Sequence, residues 1–204
     1  MIQPMAALRA HSRRLKILAA EAISSDPFLY LVLPGFLAST ELKRLKKTFP
    51  RIVARGDYPV KLFKINHEME ELITELKSKR YTRILESKFG VKLKGTKLRV
   101  SVRGWSGKED GSIHTDHPQK VLTMLLYFNS QWRKRIGKLR FLTSKNIDDF
   151  FLEIPPHGGT LVIFKRSDRS FHGYLPHVGR RLVLQLAWIK QPFRQFRGAV
   201  DNYF

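Results

Sequence analysis

The first half of the chain combines one short apolar run with segments of helical periodicity. The run from Phe28 to Leu33 predicts a β-strand, and Pro34-Gly35 should turn the chain after it. A helix is then expected from about Ser39 to Thr48, because Ser, Thr and Glu together form a typical helix start. Between Glu68 and Phe89, apolar residues recur at three- and four-residue spacing, which predicts one long or two short helices ending at Gly90. Their apolar faces should cover a sheet.

After Gly90 the pattern changes to short apolar runs separated by Gly, Pro, Asp, Asn and Ser. Runs of this length and composition are typical of β-strands. The predicted strands are Lys97 to Arg103, Val121 to Phe128, Lys138 to Leu142, Gly159 to Phe164 and Arg181 to Ile189. A β-rich half therefore follows a helical half, with no linker between them and no internal repeat.

The length of 204 residues and the apolar content of 43% suit one substantial core rather than two full-sized domains. We expect a basic N-terminal segment over residues 1–24 and a single domain over 25–204, with a helical part at about 25–90 and a β core at about 95–190. The longest apolar stretch, Phe28 to Ala38, is shorter than the roughly 20 residues that a membrane-spanning helix needs. A soluble, cytoplasmic protein is expected. The sequence makes no prediction of the oligomeric state.

Basic residues outnumber acidic ones by 38 to 17, which gives a formal net charge of +21 and a pI near 10.5. The N-terminal segment predicts a short amphipathic helix, in which Arg9, Arg13, Arg14 and Lys16 alternate with apolar residues. An excess of this size favours an anionic partner or substrate, such as an acidic protein, nucleic acid, lipid or glycan. Charge alone does not choose among them. A solvated surface and an N-terminal transit peptide are the alternatives.

The chain contains no cysteine, so imidazole and carboxylate groups would have to hold any metal ion. His114 and Asp116 are two residues apart, and on an extended chain their side chains would project to the same side. His172 lies between two predicted strands and can supply a second imidazole. Two histidines and one carboxylate are typical of non-haem Fe(II) oxygenases, in which three open coordination positions accept a 2-oxo acid and O₂.

The distal carboxylate of a 2-oxo diacid would need a cationic partner, and arginine offers a planar fork of donors for it. Arg180 and Arg181 begin the strand after His172, and only one can face a pocket, since adjacent strand residues point to opposite faces. If Arg181 faces inward, Val183 and Gln185 do so too, and the leucines between them cover the helical side. We prefer this arrangement because it places the strand's one other polar side chain in the pocket. Arg180 is the alternative.

Together these residues resemble the prolyl-hydroxylase-like branch of the Fe(II)/2-oxoglutarate-dependent dioxygenase superfamily. The resemblance runs from about Lys97 to Ile189 and rests on landmarks that occur in the expected order. They are His114-Thr115-Asp116; Leu125-Leu126-Tyr127-Phe128-Asn129 followed by Trp132; Gly137-Lys138-Leu139-Arg140; Pro155-Pro156-His157-Gly158-Gly159-Thr160-Leu161 with Phe164; His172; and Arg180-Arg181-Leu182-Val183-Leu184-Gln185-Leu186. The chain departs from the family pattern at Ile136, where relatives usually have a glycine, and at Arg103 and Trp105, where relatives often place a tyrosine.

The resemblance implies an α+β fold built on a double-stranded β-helix, or jelly roll, with helices from the N-terminal half packed on one sheet. It implies Fe(II) as the metal, held by His114, Asp116 and His172. It also implies 2-oxoglutarate and O₂ as cosubstrates, with ascorbate as an optional reductant.

On the cosubstrate side, the resemblance implies that Arg181, or else Arg180, binds 2-oxoglutarate, with Gln185 facing it. Tyr127 matches a position that often hydrogen-bonds the same carboxylate, and a purely structural aromatic residue is the alternative. The implied activity is hydroxylation of a peptidyl residue first, and of a small molecule or sugar precursor second. A nucleic-acid demethylase, a metal hydrolase of the same fold and a non-catalytic protein that binds an anionic partner are the other hypotheses.

Overall fold

The computed structural model describes residues 3–191, with side chains from Arg9 onward. Helices and strands alternate in the first half, and strands dominate the second. In chain order the elements are α1 (Gln3–Ala20), β1 (Tyr30–Leu33), α2 (Ser39–Lys47), β2 (Tyr58–Pro59), a 3₁₀ turn (Val60–Leu62), α3 (His67–Leu76), α4 (Lys79–Phe89), β3 (Lys97–Ser106), β4 (Lys120–Tyr127), β5 (Leu139–Leu142), β6 (Phe150–Ile154), β7 (Leu161–Lys165), β8 (His172–Gly173) and β9 (Gly179–Ile189). The predicted combination of helices and strands is confirmed.

The helical segment predicted before Gly90 is divided into α3 and α4 by a local capping signal. The Asn66 side chain accepts a hydrogen bond from the Met69 backbone at the start of α3, and Ser78 accepts one from Tyr81 at the start of α4. A serine in this role satisfies a free N–H group of the new helix, so the chain restarts there. Gly90 ends α4 in the left-handed region, with a φ of 56°, which glycine adopts at little cost.

Helix α1 is amphipathic, as the N-terminal pattern predicts. Leu15 and Leu18 are buried in the core, whereas Arg9 and Lys16 are exposed. One expectation is wrong: Arg14, which we expected on the basic face, is only 4% exposed. Its guanidinium is enclosed because it binds two carboxylates from neighbouring helices.

The strands form two antiparallel sheets. The larger sheet has six strands in the order β1-β7-β4-β9-β3-β2, and the smaller has three in the order β6-β5-β8. The helices cover one face of the larger sheet, where apolar side chains of both layers form the main core. A second apolar cluster, which includes Tyr127, Phe141 and Phe164, lies at the opposite face of that sheet and includes residues of the smaller one.

Strand β9 shows how the sequence assigns side chains to these two faces. Leu182, Leu184 and Leu186 belong to the core beneath the helices, whereas Arg181 and Gln185 face the opposite side. The period of two along a strand produces this separation. The larger sheet therefore presents polar side chains to a cavity on the face away from the helices.

Three short strands were not predicted. Strands β2 and β8 have two residues each and form only where a distant strand pairs with them. Strand β6 lies at an edge of the smaller sheet and begins with Phe150, which is exposed. Its apolar residues do not alternate with polar ones, so the sequence shows no clear strand pattern there. Within residues 3–191, no helix is both long enough and apolar enough to cross a lipid bilayer.

Candidate active site

Three residues that are distant in the sequence come together in the structure. One ligand atom from each of His114, Asp116 and His172 lies within 4.8 Å of the other two. The histidines are brought together by a backbone bridge, in which the N–H group of each donates to the carbonyl of the other over 3.0 and 2.9 Å. No other group of three such side chains is close enough to hold a metal ion among the described residues.

The two imidazoles are oriented by backbone carbonyl groups. The Nδ1 atom of His114 is 2.8 Å from the Ser112 oxygen, and that of His172 is 2.9 Å from the Ser170 oxygen. A carbonyl oxygen can only accept, so in each ring Nδ1 carries a hydrogen and Nε2 is the nitrogen available to a metal ion. This pattern is typical of metal-binding histidines, whose second nitrogen is fixed by an outer hydrogen bond.

Two side chains of strand β4 hold the Asp116 carboxylate. Lys120 Nζ donates to one carboxylate oxygen over 2.7 Å, and Thr123 Oγ1 donates to the other over 2.8 Å. Burial alone would raise the pKa of Asp116, but the positive charge of Lys120 and its hydrogen bond outweigh this effect and hold the pKa well below its usual range. Asp116 is therefore ionised, and both oxygens retain lone pairs for a metal ion.

The backbone at Asp116 corrects one step of the sequence argument. We expected His114 and Asp116 to share a side because the segment would be extended. Instead Asp116 has a φ of 67°, in the left-handed region, so the chain turns at this residue. The turn brings the carboxylate to 3.7 Å from His114 Nε2.

Burial differs sharply among the three side chains. Those of His114 and Asp116 are 56% and 5% exposed, and His172 is 5% exposed as a whole residue. Burial and the neighbouring His114 lower the pKa of His172 to about 4, so its imidazole is neutral near pH 7. The cluster therefore offers two imidazole groups and one carboxylate, and it opens to solvent on the His114 side.

The cluster lies in a cavity of about 820 Å³ that also contains the predicted cosubstrate residues. Arg181, Tyr127 and Gln185 all line this cavity, whereas Arg180 is exposed and does not. Apolar side chains complete much of the wall. They include Leu125, Leu139, Phe164, Phe171 and Val183.

Arg181 is a buried cation without a carboxylate partner among the described residues. It is 3% exposed, and its Nη1 atom contacts the Gly137 carbonyl. The hydroxyl of Tyr127, which lies beside it, is also buried and lacks a hydrogen-bond partner within residues 3–191. Burial raises the pKa of Tyr127, so this hydroxyl remains a donor. A buried charge and an unpartnered donor that face one cavity fit an anionic ligand such as the carboxylate of 2-oxoglutarate.

Several residues of this site were not identified from the sequence. Thr123 was detectable in principle, because it interrupts an otherwise apolar strand on the face of Tyr127. Arg103 was noted only as a departure from the family pattern, and Asp57 and Tyr174 gave no signal, since these three residues meet only through the fold. Arg103 binds both Asp57 oxygens over 3.0 Å and forms one wall of the cavity.

A comparison with protein families identifies the β-rich half. Residues 99–190 match the model of the family described as the 2OG-Fe(II) oxygenase superfamily. Over residues 99–190 the protein is therefore similar to 2OG-Fe(II) oxygenases. The resemblance seen in the sequence is thereby confirmed, as are the enzyme class and its use of Fe(II) and 2-oxoglutarate. The matched segment contains the three clustered residues and also Arg181 of β9.

Similar solved structures extend the likeness of this oxygenase to most of the chain. A Pseudomonas putida prolyl-4-hydroxylase is 16% identical with a TM-score of 0.60, and the match covers 91% of this chain and 95% of that one. A Trichoplax adhaerens prolyl hydroxylase in complex with a hypoxia-inducible-factor peptide is 17% identical with a TM-score of 0.58, covering 92% of each chain. Streptomyces hygroscopicus HygX, with nickel and 2-oxoglutarate bound, is 12% identical with a TM-score of 0.56, covering 82% of this chain and 84% of that one. At these identities the likeness shows a shared fold. No curated protein matches the chain significantly.

Proposed function

We propose that this oxygenase is a hydroxylase in which His114, Asp116 and His172 hold Fe(II) and Arg181 binds the distal carboxylate of 2-oxoglutarate. One observation carries the proposal: a metal-binding cluster and a buried arginine without a counter-ion face the same cavity. When bound, iron with 2-oxoglutarate and O₂ supplies the oxidising power for hydroxylation. Tyr127 assists Arg181 because its hydroxyl is an unused donor at the same place.

The chain's own residues prepare the site for that chemistry. The carbonyl groups of Ser112 and Ser170 hold the two imidazoles in one tautomer, and Lys120 and Thr123 hold the Asp116 carboxylate. Such outer contacts fix the ligand atoms before a metal ion arrives. The apolar side chains around Arg181 exclude water, which strengthens its attraction for a carboxylate.

The position of Arg181 supports its assignment over Arg180. Both arginines belong to β9, but only Arg181 points into the cavity. Gln185 lies four residues further along the same face, directly between Leu125 and Ser101 of the adjacent strands. We assign Gln185 to the cosubstrate side because it is the next polar side chain beyond Arg181 on the face that lines the cavity.

We infer that the two sheets are the halves of a double-stranded β-helix. The antiparallel pairing, the helical cover on one sheet and the match to prolyl hydroxylase structures support this reading. We also propose that residues 25–204 form one domain, with a helical part at about 25–90 and a β core at about 95–190; residues 192–204 of this predicted range lie outside the described residues. The basic segment over residues 1–24 would then be an extension whose helix packs onto that domain.

A peptidyl residue is the substrate class that we propose first. Two of the similar structures are prolyl hydroxylases, and one of these contains a peptide. The cavity is also larger than 2-oxoglutarate needs and opens at His114, which leaves room for a side chain of another molecule. A small molecule is the second candidate, and a cytoplasmic location remains a proposal.

The test is 2-oxoglutarate turnover to succinate by purified protein with added Fe(II) under air. We expect slow turnover without a primary substrate, and loss of it in the Asp116→Ala variant. Asp168→Ala is a matched control, because Asp168 is an aspartate outside the cavity whose side chain is 90% exposed. Metal-dependent hydrolysis of model esters without succinate formation would instead support a hydrolase and contradict the proposal.

A further inference from the structure

The ring of Tyr174 lies against the guanidinium of Arg181. The Cζ atom of Arg181 is 4.1 Å from the centroid of the Tyr174 ring, compared with 5.6 Å for Tyr127 and 6.0 Å for Trp132. Tyr174 and Arg181 both line the cavity. Tyr174 is therefore the nearest of three aromatic groups around a buried cation.

Tyr174 is fixed at both ends by hydrogen bonds. Its hydroxyl is 2.8 Å from Ser106 Oγ and 3.4 Å from Arg103 Nη1, and its backbone N–H group donates to the Gly111 carbonyl over 3.0 Å. Arg103 is itself held by both oxygens of Asp57. The ring cannot turn away from Arg181 without breaking these contacts.

The loop beside Tyr174 is shaped to let it pack this closely. Gly111 has a φ of 100°, and a Cβ atom at this position would lie 2.2 Å from the Tyr174 carbonyl oxygen. Only glycine fits both the backbone conformation and the available space. The placement of Tyr174 is thus determined by several elements of the fold.

A face of an aromatic ring attracts a cation within about 6 Å, and more strongly where water is excluded. Arg181 has no carboxylate partner among the described residues, so the Tyr174 ring supplies part of the missing stabilisation and limits the rotamers of the long side chain. Because the contact with the ring uses none of the guanidinium N–H groups as hydrogen-bond donors, Arg181 can still donate to a carboxylate.

We propose that Tyr174 is a positioning residue for cosubstrate binding, which acts by holding the Arg181 guanidinium ready for the distal carboxylate of 2-oxoglutarate. The inference rests on the proposed role of Arg181 and extends it to a residue outside the motif. Its aromatic face carries the effect, and its hydroxyl serves to fix the ring.

The test measures the dissociation constant of 2-oxoglutarate by calorimetry on anaerobic protein loaded with Fe(II). Tyr174→Leu should weaken binding about tenfold, because the ring face is lost, whereas Tyr174→Phe should remain within about threefold of the parent. Phe150→Leu is a matched control: the Phe150 ring lies 4.2 Å from the guanidinium of Arg140, outside the cavity. This variant should bind 2-oxoglutarate as the parent does.

A double-variant cycle tests whether Tyr174 acts through Arg181. In an Arg181→Ala background, Tyr174→Leu should cause no further loss of affinity, since two residues that act as a unit are not additive. Independent losses that multiply would overturn the proposal. If Tyr174→Leu lowers the thermal midpoint, Tyr174→Met provides a flexible apolar replacement, and it should show the same loss of affinity with Fe(II) binding unchanged.

The outcomes separate this inference from the proposed function. Failure of the parent protein to bind 2-oxoglutarate, or full affinity in Arg181→Ala, would remove the proposed role of Arg181 and this inference with it. If the parent binds and Arg181→Ala loses affinity, then parental affinity in a folded Tyr174→Leu protein overturns the inference alone.

Discussion

At the scale of single residues, the affinity of Arg181 for an anion follows from the burial of its charge. A guanidinium that is 3% exposed and lacks a carboxylate partner within residues 3–191 has lost its hydration without full compensation. Binding an anion at this position restores the missing partner. The same charge on the exposed neighbour Arg180 is already hydrated and gains little.

Arg181→Ala should therefore raise the 2-oxoglutarate concentration needed for half-maximal turnover by roughly 30-fold or more, since a buried charge-assisted pair contributes about 2 to 5 kcal/mol. Arg180→Ala removes the same side chain on the opposite face and should change that concentration less than about threefold. Steady-state succinate formation measures both. The reverse ranking would show that the exposed arginine binds the cosubstrate.

Part of the site could be predicted from the sequence because successive side chains of a strand point to opposite faces. The alternation along β9 placed Arg181 and Gln185 on one face and the leucines on the other. His114 and Asp116 lie close together as predicted, but the reason given was wrong, because the chain turns at Asp116 instead of extending. Tyr174 could not be predicted, since it lies in the short connection between β8 and β9, where no periodic pattern shows which way a side chain points.

At the scale of secondary-structure elements, α1 is attached to the rest of the molecule by a buried ion-pair network. Arg14 Nε donates to Glu75 over 2.9 Å, and its two Nη atoms contact Glu41 and Glu75. Tyr81 donates to the same Glu75 carboxylate over 2.7 Å. One arginine of α1 is thus bound to residues of α2 and α3, and Glu75 is bound in turn to α4.

Replacing Arg14 by Met should destabilise the protein by about 3 to 5 kcal/mol, because Glu75 would remain buried with its main cation gone. Arg13→Met is the matched control on the same helix. Arg13 is exposed and only donates to the carbonyl groups of Gly35 and Phe36, so its loss should cost less than about 1 kcal/mol. Urea unfolding measures both values. Equal effects of the two changes would mean that the buried network does not hold α1.

The elements themselves were largely predictable where the pattern is long and local. The two helices before Gly90 and the strands β3, β4, β7 and β9 follow from periodicity and end signals. Strands β2 and β8 depend on partners distant in sequence, and a two-residue segment carries no periodicity. The buried position of Arg14 also escaped prediction, because it required knowing that Glu41 and Glu75 would meet there.

At the scale of the whole molecule, the net charge of +21 is concentrated in part on the helical layer. Arg9, Lys16, Lys43 and Lys47 are all exposed on α1 and α2. These helices cover the face of the larger sheet opposite the cavity. An anionic partner bound there would not block the active site.

Changing Arg9, Lys16, Lys43 and Lys47 together to Gln should weaken binding of a short DNA duplex, used as a polyanion probe. The slope of log affinity against log salt should become less negative by roughly three, because fewer counterions are released. Succinate formation without primary substrate should stay unchanged, since screened surface charges act over only about 8 to 10 Å.

The matched control for that variant changes Lys97, Lys108, Arg133 and Arg135 to Gln. These residues are exposed and lie in the β-rich half, and replacing them removes the same total charge as the helical variant does. The control variant should change the slope of log affinity against log salt less than the variant of α1 and α2 does. Equal slopes for the two variants would show a general effect of net charge and no defined cationic surface.

The most direct test of the account is whether His114, Asp116 and His172 form one iron site that binds 2-oxoglutarate beside Arg181. Anaerobic titration of the protein with Fe(II) and 2-oxoglutarate should produce a weak visible absorption band, which saturates at one iron per chain. The band should be absent in Asp116→Ala and should need much more 2-oxoglutarate in Arg181→Ala. A band of parental intensity and affinity in Asp116→Ala would contradict the assignment of the metal site.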